Sequence, residues 1–493
     1  MHTLVSYVRS HFLPMSSTDN DIVEEPRSFR KELENSNVRG VLLFVFIDGA
    51  ASSIWSSQPY QVMVSRLAGD TAVGWVSAAA GVAQIVGALI AGGVRNVPRQ
   101  VICRLSAFCG LVAVIMSVYG ITTQDIMIYY FASALWGMYG GMAFTGTEAL
   151  FADSVESGKR GFVYNLKWIN ETTSSCVGSL ILLIMTLYLG NDWDTNVLKI
   201  LMYTGLAVHP TAFFALLGMK DKNILHVDDG CEDCEQFASE ASQRRLTDGD
   251  SSTKPLLGGT KDIIEEDGWD EESEEEERNC CDYLCTGVTS SWQWLFTVSA
   301  LPFLLALGNL LISVGSGVTM QYISLYFIKE RHVTPIMFFI TNIAVNICIA
   351  LSSTMVRYLS EHHLDRVSAT ILVRTLSAFF MLIMGMAELP LVALLPIYVC
   401  RNALMNSTAG VTRSIIMDCA RRENRAMWAA FECFVSFMWS ASSVMGGYIA
   451  SAKGYKYTFV ITALIHFIAM FVLVPAISGV RQLDRHAKAK SRT

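Results

Sequence analysis

The chain has 493 residues, of which 52% are apolar and 16% charged, and its net charge is −7. Water-soluble domains carry about 25% charged residues, and the mean hydropathy here is positive, so most of the chain lacks the polar surface that water demands. A strongly basic nucleic-acid binder is excluded, and so is disorder over most of the length.

Residues 1–39 are polar and are expected to form a disordered tail. The first 18 carry Arg9 and several serines but no acid, as transit peptides do, and no secretory signal is evident, so the first apolar run is expected to serve as signal anchor. A bilayer core about 30 Å thick needs roughly 20 apolar residues per helix. Such runs fall at 40–64, 72–94, 101–120, 126–150, 161–189 and 198–217, and again at 296–327, 333–359, 367–386, 391–417, 427–450 and 457–477. They are continuous and too long for barrel strands. The expected fold class is therefore an all-α membrane protein, with twelve transmembrane helices in two pseudo-symmetric six-helix bundles, 40–218 and 293–479.

Between the bundles, 219–292 reads as a soluble linker. Within 220–282 there are 21 acidic and 7 basic residues, a net of −14, so the rest of the chain carries +7. Such a segment cannot bury enough apolar area to fold alone. Residues 480–493 form a short basic tail. One set of connections, with that tail, holds fourteen Lys and Arg against six on the other side. The bias predicts both termini in the cytoplasm and leaves open whether the membrane is the plasma membrane or an internal one.

Ionisable groups at bilayer depth cost several kcal/mol unless they meet a partner or a cavity, which makes each a functional candidate. Asp48 lies roughly 12 Å into the first run and is a candidate to couple transport to protons or to bind substrate. Lys167 and Glu171 share a helical face at i, i+4 and either neutralise each other or act on a solute. Glu432 stands opposite in charge to Lys167 at a spacing of 265 residues, which suggests an embedded charge partner. Arg401, mid-run, cannot shed its proton and needs an anion, either a protein carboxylate or a substrate. Gly137 and Gly141 in the fourth run and the Gly/Ala-rich second run permit close helix packing. Trp55, Trp136 and Tyr139 either line a central cavity or simply pack.

The 265-residue spacing recurs. Glu148, Asp153 and Arg160 at the end of the fourth run correspond to Arg413, Asp418 and Arg425 at the end of the tenth, the mark of a parallel duplication. From Arg413 through Asp418 to Arg425, then Trp428, Trp439-Ser440, Gly446-Gly447, Gly454-Tyr455 and Thr462-Ala463, the sequence resembles the major facilitator superfamily, over about 40–477. It looks most like eukaryotic multidrug-type or general members. The resemblance implies that Glu148, Asp153, Arg160, Arg413, Asp418 and Arg425 form a cytoplasmic gate. Two departures stand out: the loop after the second run has Arg95 and Arg99 but no Asp, and the fifth run has Gly178 but no Pro.

No phosphate-binding loop, dinucleotide fingerprint or zinc-protease helix occurs, so neither cofactor nor metal nor enzymatic activity is expected. Cys231 and Cys234 lie too far from Cys280, Cys281 and Cys285 for a zinc site in a disordered linker. The latter three, just before the seventh run, are candidates for S-palmitoylation. The expected function is a secondary transporter of a small solute, acting by alternating access as a monomer in the lipid bilayer, with protons as one candidate driving ion. The competing reading is a transport-inactive receptor or scaffold.

Overall fold

The structure is a computed structural model, and it describes residues 35–93, 97–155, 160–223, 300–409, 411–412 and 425–481. The linker, most of both tails, Arg413, Asp418, Cys280, Cys281 and Cys285 lie outside the described residues. Of Arg160 and Arg425 only the backbone is described, each at a helix start.

Twelve helical spans follow in chain order. Span one is Ser36–Trp55 continued by Gln58–Ala68. Spans two to five are Asp70–Gly93, Arg99–Thr123, Ile126–Asp153 and Arg160–Leu189, and span six is Thr195–Val208 continued by Pro210–Gly218. Span seven is Leu301–Leu325, ending in a wider turn, Tyr326–Glu330. Spans eight to twelve are Pro335–His362, Arg366–Met386, Leu391–Ser407, Arg425–Lys453 and Tyr455–Leu473. Among the described residues, ten of these are long and apolar enough to cross a membrane; span four, with 28 residues, and the shorter span ten complete the set. The first helix begins at Ser36, ahead of the expected 40, because Asn35 caps it, accepting from the Asn37 N–H at 2.9 Å.

Prolines break two spans. Pro59 has no N–H to continue the helix, so span one is interrupted at Ser56 and Ser57. Their hydroxyls donate back to the carbonyls of Ser52 (2.7 Å) and Ser53 (2.6 Å), covering acceptors near the break. Pro210 interrupts span six in the same way, and His209 sits at that break.

Within the N-terminal half, spans two and four pack backbone to backbone. A Cβ at Gly137 would collide with the Ala80 carbonyl, and one at Gly141 with that of Gln84. In lipid no hydrophobic effect drives helices together, so this close packing is what holds the pair. The halves meet chiefly along spans two and eleven and spans five and eight. Small residues again allow the approach: a Cβ at Gly81 would meet Ser440, and Ser443 Oγ donates to the Gly74 carbonyl at 3.1 Å.

The two ends of the bundle differ. At the linker end, Asn37 donates to the Lys220 carbonyl (2.9 Å) and accepts from the Lys220 N–H (3.1 Å), tying the start of span one to the end of span six. At the far end, single glycines turn the chain between spans. Gly69 (φ 81°) and Gly454 (φ 90°) adopt a left-handed backbone that side chains resist. They place Asp70 and Tyr455 at the first positions of spans two and twelve.

Candidate functional site at the seam between the halves

A cavity of about 330 Å³ lies at the seam, walled by spans one, two and four of the first half and spans seven and eleven of the second. Trp55, Tyr60, Trp136 and Trp439 give it aromatic walls, and Gln61, Gln84 and Gln321 give it polar ones. That size is at the small end of ligand pockets, about 300–1,000 Å³. Two hydrogen bonds join the halves at its walls: Gln61 Nε2 donates to Gln321 Oε1 at 2.6 Å, and Ser436 Oγ donates to Gln84 Oε1 at 3.2 Å.

Toward the far end the seam is closed by a cluster around Asp70. Lys329 of the second half donates to Asp70 Oδ1 at 2.7 Å and to Ser65 Oγ at 2.5 Å. Tyr455, also of the second half, donates to Asp70 Oδ2 at 2.5 Å, and Ser65 donates to Oδ1. Beside it, Trp193 Nε1 donates to the Val333 carbonyl at 2.8 Å, and the Ile336 N–H donates to Asn191 Oδ1 at 2.9 Å. One carboxylate thus holds an ammonium and a phenol from the opposite half. Asp70 and Lys329 did not stand out in the sequence, and Tyr455 did so only within the run that carries the family resemblance.

Asp48 sits in the first half, partly buried, as the focus of a second network. Its Oδ1 accepts from the Tyr139 hydroxyl at 2.5 Å and lies 2.8 Å from His209 Nε2. The tautomer follows from the next bond: Trp55 Nε1, a donor only, points at His209 Nδ1 at 3.1 Å. Nδ1 must therefore accept, the imidazole proton is on Nε2, and His209 is neutral and donates to Asp48. Trp136 packs on His209 with ring centroids 4.4 Å apart and on Trp55 at 4.9 Å. Of the three candidate cavity aromatics, Trp55 and Trp136 line it, whereas Tyr139 is buried and bonded to Asp48. His209 was legible only as the residue before a proline inside an apolar run.

The remaining sequence candidates fall as follows. Lys167 forms its ion pair with Glu148 of span four, and its ammonium lies 5.6 Å from the Phe151 ring centroid. The sequence left the partner of Lys167 open, with Glu171 and Glu432 as candidates; the structure pairs it with Glu148 instead. Lys167 is buried against span four, while Glu171, one turn on, is exposed. Asp153 pairs with Arg99 at the start of span three. Glu148 and Asp153, expected in a gate between the halves, thus bond within their own half, to Lys167 and Arg99.

Arg401 is 1% exposed. Its Nη1 donates to Asn402 Oδ1 at 2.9 Å and lies 3.3 Å from Met320 Sδ. Arg374, eight residues into span nine and as legible a signal as Arg401, was not among the sequence candidates. It donates to Thr408 Oγ1 (2.7 Å), Asn309 Oδ1 (3.3 Å) and Thr412 Oγ1 (3.3 Å). Among the described residues, no group of His, Cys, Asp and Glu is arranged to hold a metal ion.

Among solved structures, the chain is similar to the partially occluded inward-open conformation of the xylose transporter XylE from E. coli. The match has a TM-score of 0.56 at 12% identity and covers 90% of this chain and 98% of that one. No protein-family model and no curated protein matches the sequence. The likeness is one of fold, two six-helix bundles around a central seam, and the chain is a multi-pass membrane protein.

Proposed function

We propose, on the premise of this shared fold, that the protein is a secondary transporter that carries a small solute across a membrane by alternating access. The observation behind the reading is the cavity at the seam, walled by both halves and closed at one end by bonds between them. We place the linker end in the cytoplasm, on the fourteen-to-six bias of Lys and Arg. The Asp70 cluster then closes the outer side, and the conformation is inward-facing. Two observations support that assignment: Glu148 and Asp153 bond within one half, and the similar xylose transporter is described as partially occluded and inward-open. In the outward-facing state Asp70 would release Lys329 and Tyr455, and Glu148, Asp153, Arg160, Arg413, Asp418 and Arg425 would form the inner gate.

We assign proton coupling to Asp48. As a carboxylate it accepts two hydrogen bonds at one oxygen. Once protonated it becomes a donor and a poorer acceptor, so Tyr139 and His209 lose part of their hold on it. His209 bears directly on Trp55 and Trp136, both in the cavity wall, so the proton on Asp48 is felt where the solute sits. The test is flux in proteoliposomes holding the purified full-length chain, with labelled neutral, cationic and anionic solutes and an imposed pH gradient. At least one solute should accumulate with the gradient, and Asp48→Asn should abolish accumulation while sparing exchange. No flux for any solute, with or without a gradient, would favour a receptor or scaffold.

A further inference from the structure

The C-terminal half buries two guanidinium groups, and among the described residues neither bonds to an anion. Every described polar partner of Arg374 is a neutral oxygen, and those of Arg401 are an amide oxygen and a thioether. Both side chains are almost fully enclosed. A buried cation without a counter-ion costs several kcal/mol, and arginine cannot escape that cost by losing a proton.

The donors left open are specific. Arg401 Nε and Nη2 are buried and have no hydrogen-bond partner. These two nitrogens form one edge of the planar guanidinium, with parallel N–H bonds spaced to meet both oxygens of a carboxylate. His466, on span twelve, donates from Nε2 to the Ile312 carbonyl at 3.3 Å, so its buried Nδ1 is an open acceptor and adds no donor. Buried donors are normally satisfied, so the two open N–H groups on one edge of Arg401 point to something that binds there. The region adjoins the seam cavity: Met320, in contact with Arg401, is partly exposed and precedes Gln321 of the cavity wall. Methionine is flexible enough to move aside.

We propose that Arg401 is an anion-recognition residue, and that the solute is a small organic carboxylate whose apolar body lies among the aromatic walls of the seam cavity. The carboxylate takes the Nε–Nη2 edge of Arg401, and Arg374 adds to the positive charge buried in the same half. The proposal rests on the transporter reading for its biological meaning, but binding is tested without transport. The purified full-length chain is titrated in detergent with benzoate, phenylacetate and hexanoate, with their uncharged amides, and with sulfate. The readouts are the thermal midpoint and the quenching of tryptophan fluorescence.

At least one carboxylate should bind and its amide should not, and sulfate should not compete. Arg401→Met should weaken that carboxylate by about thirtyfold or more, while the ligand-free midpoint stays at or above that of the parent chain. Arg401→Lys, which keeps the charge and loses the fork, should lie between. The inference is overturned if no carboxylate binds better than its amide, or if sulfate binds as well. It is also overturned if either variant binds the carboxylate like the parent. Should Arg401→Met fail to fold, the carboxylate–amide comparison and Arg401→Lys still decide. Absence of carboxylate binding alongside flux of another solute would sink this inference alone; absence of all flux would sink the transporter reading.

Discussion

In the N-terminal half the partly buried Asp48 collects hydrogen bonds from Tyr139 and His209, and Lys167 lies against Glu148; in the C-terminal half Arg374 and Arg401 are buried and, among the described residues, meet only neutral oxygens and a sulfur. On the reading proposed above, the first arrangement answers to a proton and the second to an anion. A cavity walled by both halves lies between them, so a proton on one side and a solute on the other can bias the same motion of the halves.

The strongest way to break this contrast is at Asp48. Asp48→Asn keeps an acceptor for Tyr139 and His209 but cannot titrate, so pH-gradient-driven accumulation in proteoliposomes should fall to background while counterflow persists. Loss of both together would give Asp48 a packing role instead.

The next largest effect sets the two kinds of buried cation against each other. Lys167→Met strands Glu148 and should destabilise the protein by about 3 kcal/mol, read from unfolding in detergent. The double variant Lys167→Met/Glu148→Gln should recover most of that loss. Arg401→Met should cost nothing, since no carboxylate is left behind. Equal losses for Lys167→Met and Arg401→Met would erase the distinction between the halves.

Asp70→Asn removes the charge that holds Lys329 at the far end. The pair is partly exposed, so the cost to the closed state should be about 1–2 kcal/mol, a factor of about 5–30 in the state ratio. A cysteine at Ser77, in the cavity wall, should then react with an impermeant thiol reagent from the Asp70 side faster by about that factor. An unchanged rate would mean that the Asp70 cluster does not govern access.

The smallest effect concerns Asp365, which caps span nine at the linker end. Burial raises its pKa, but the Ser368 N–H at 2.9 Å and Arg481 at 3.0 Å outweigh burial and hold the carboxyl below its ordinary range. A depressed folded pKa gives stability that is present above the unfolded value, about 3.9, and is lost as pH falls through the folded one. Arg481→Gln should therefore lower the thermal midpoint slightly at pH 7, and the difference should begin to shrink near about pH 4 and vanish once the pH has fallen through the depressed folded value. A difference that persists in acid would assign the effect to packing of the Arg481 side chain.

The twelve spans were legible because a bilayer imposes a length and a composition on each helix. Asp48 and Arg401 were legible for the same reason, as charges in apolar runs. Their surroundings were not. Tyr139 and His209 reach Asp48 from positions 91 and 161 residues away, and nothing in local pattern joins them. Lys167 shows the failure most clearly: i, i+4 spacing puts Glu171 on the same face, but burial against span four decides in favour of Glu148. The Asp70 cluster escaped notice because charges at span ends are what solvent-exposed connections normally carry, and only the closeness of the two halves turns them into one site.

The most direct test of alternating access about this seam is a pair of distances in the same protein. Spin labels at Asp192→Cys and His332→Cys, both exposed at the far end, report the outer face; labels at Lys222→Cys and His363→Cys report the linker end. Exposed native cysteines are first replaced. The account predicts two populations at each face, with Asp70→Asn lengthening the far-end distance and shortening the linker-end distance in the same proportion of molecules. A single distance at the linker end that stays fixed while the far end opens would contradict it.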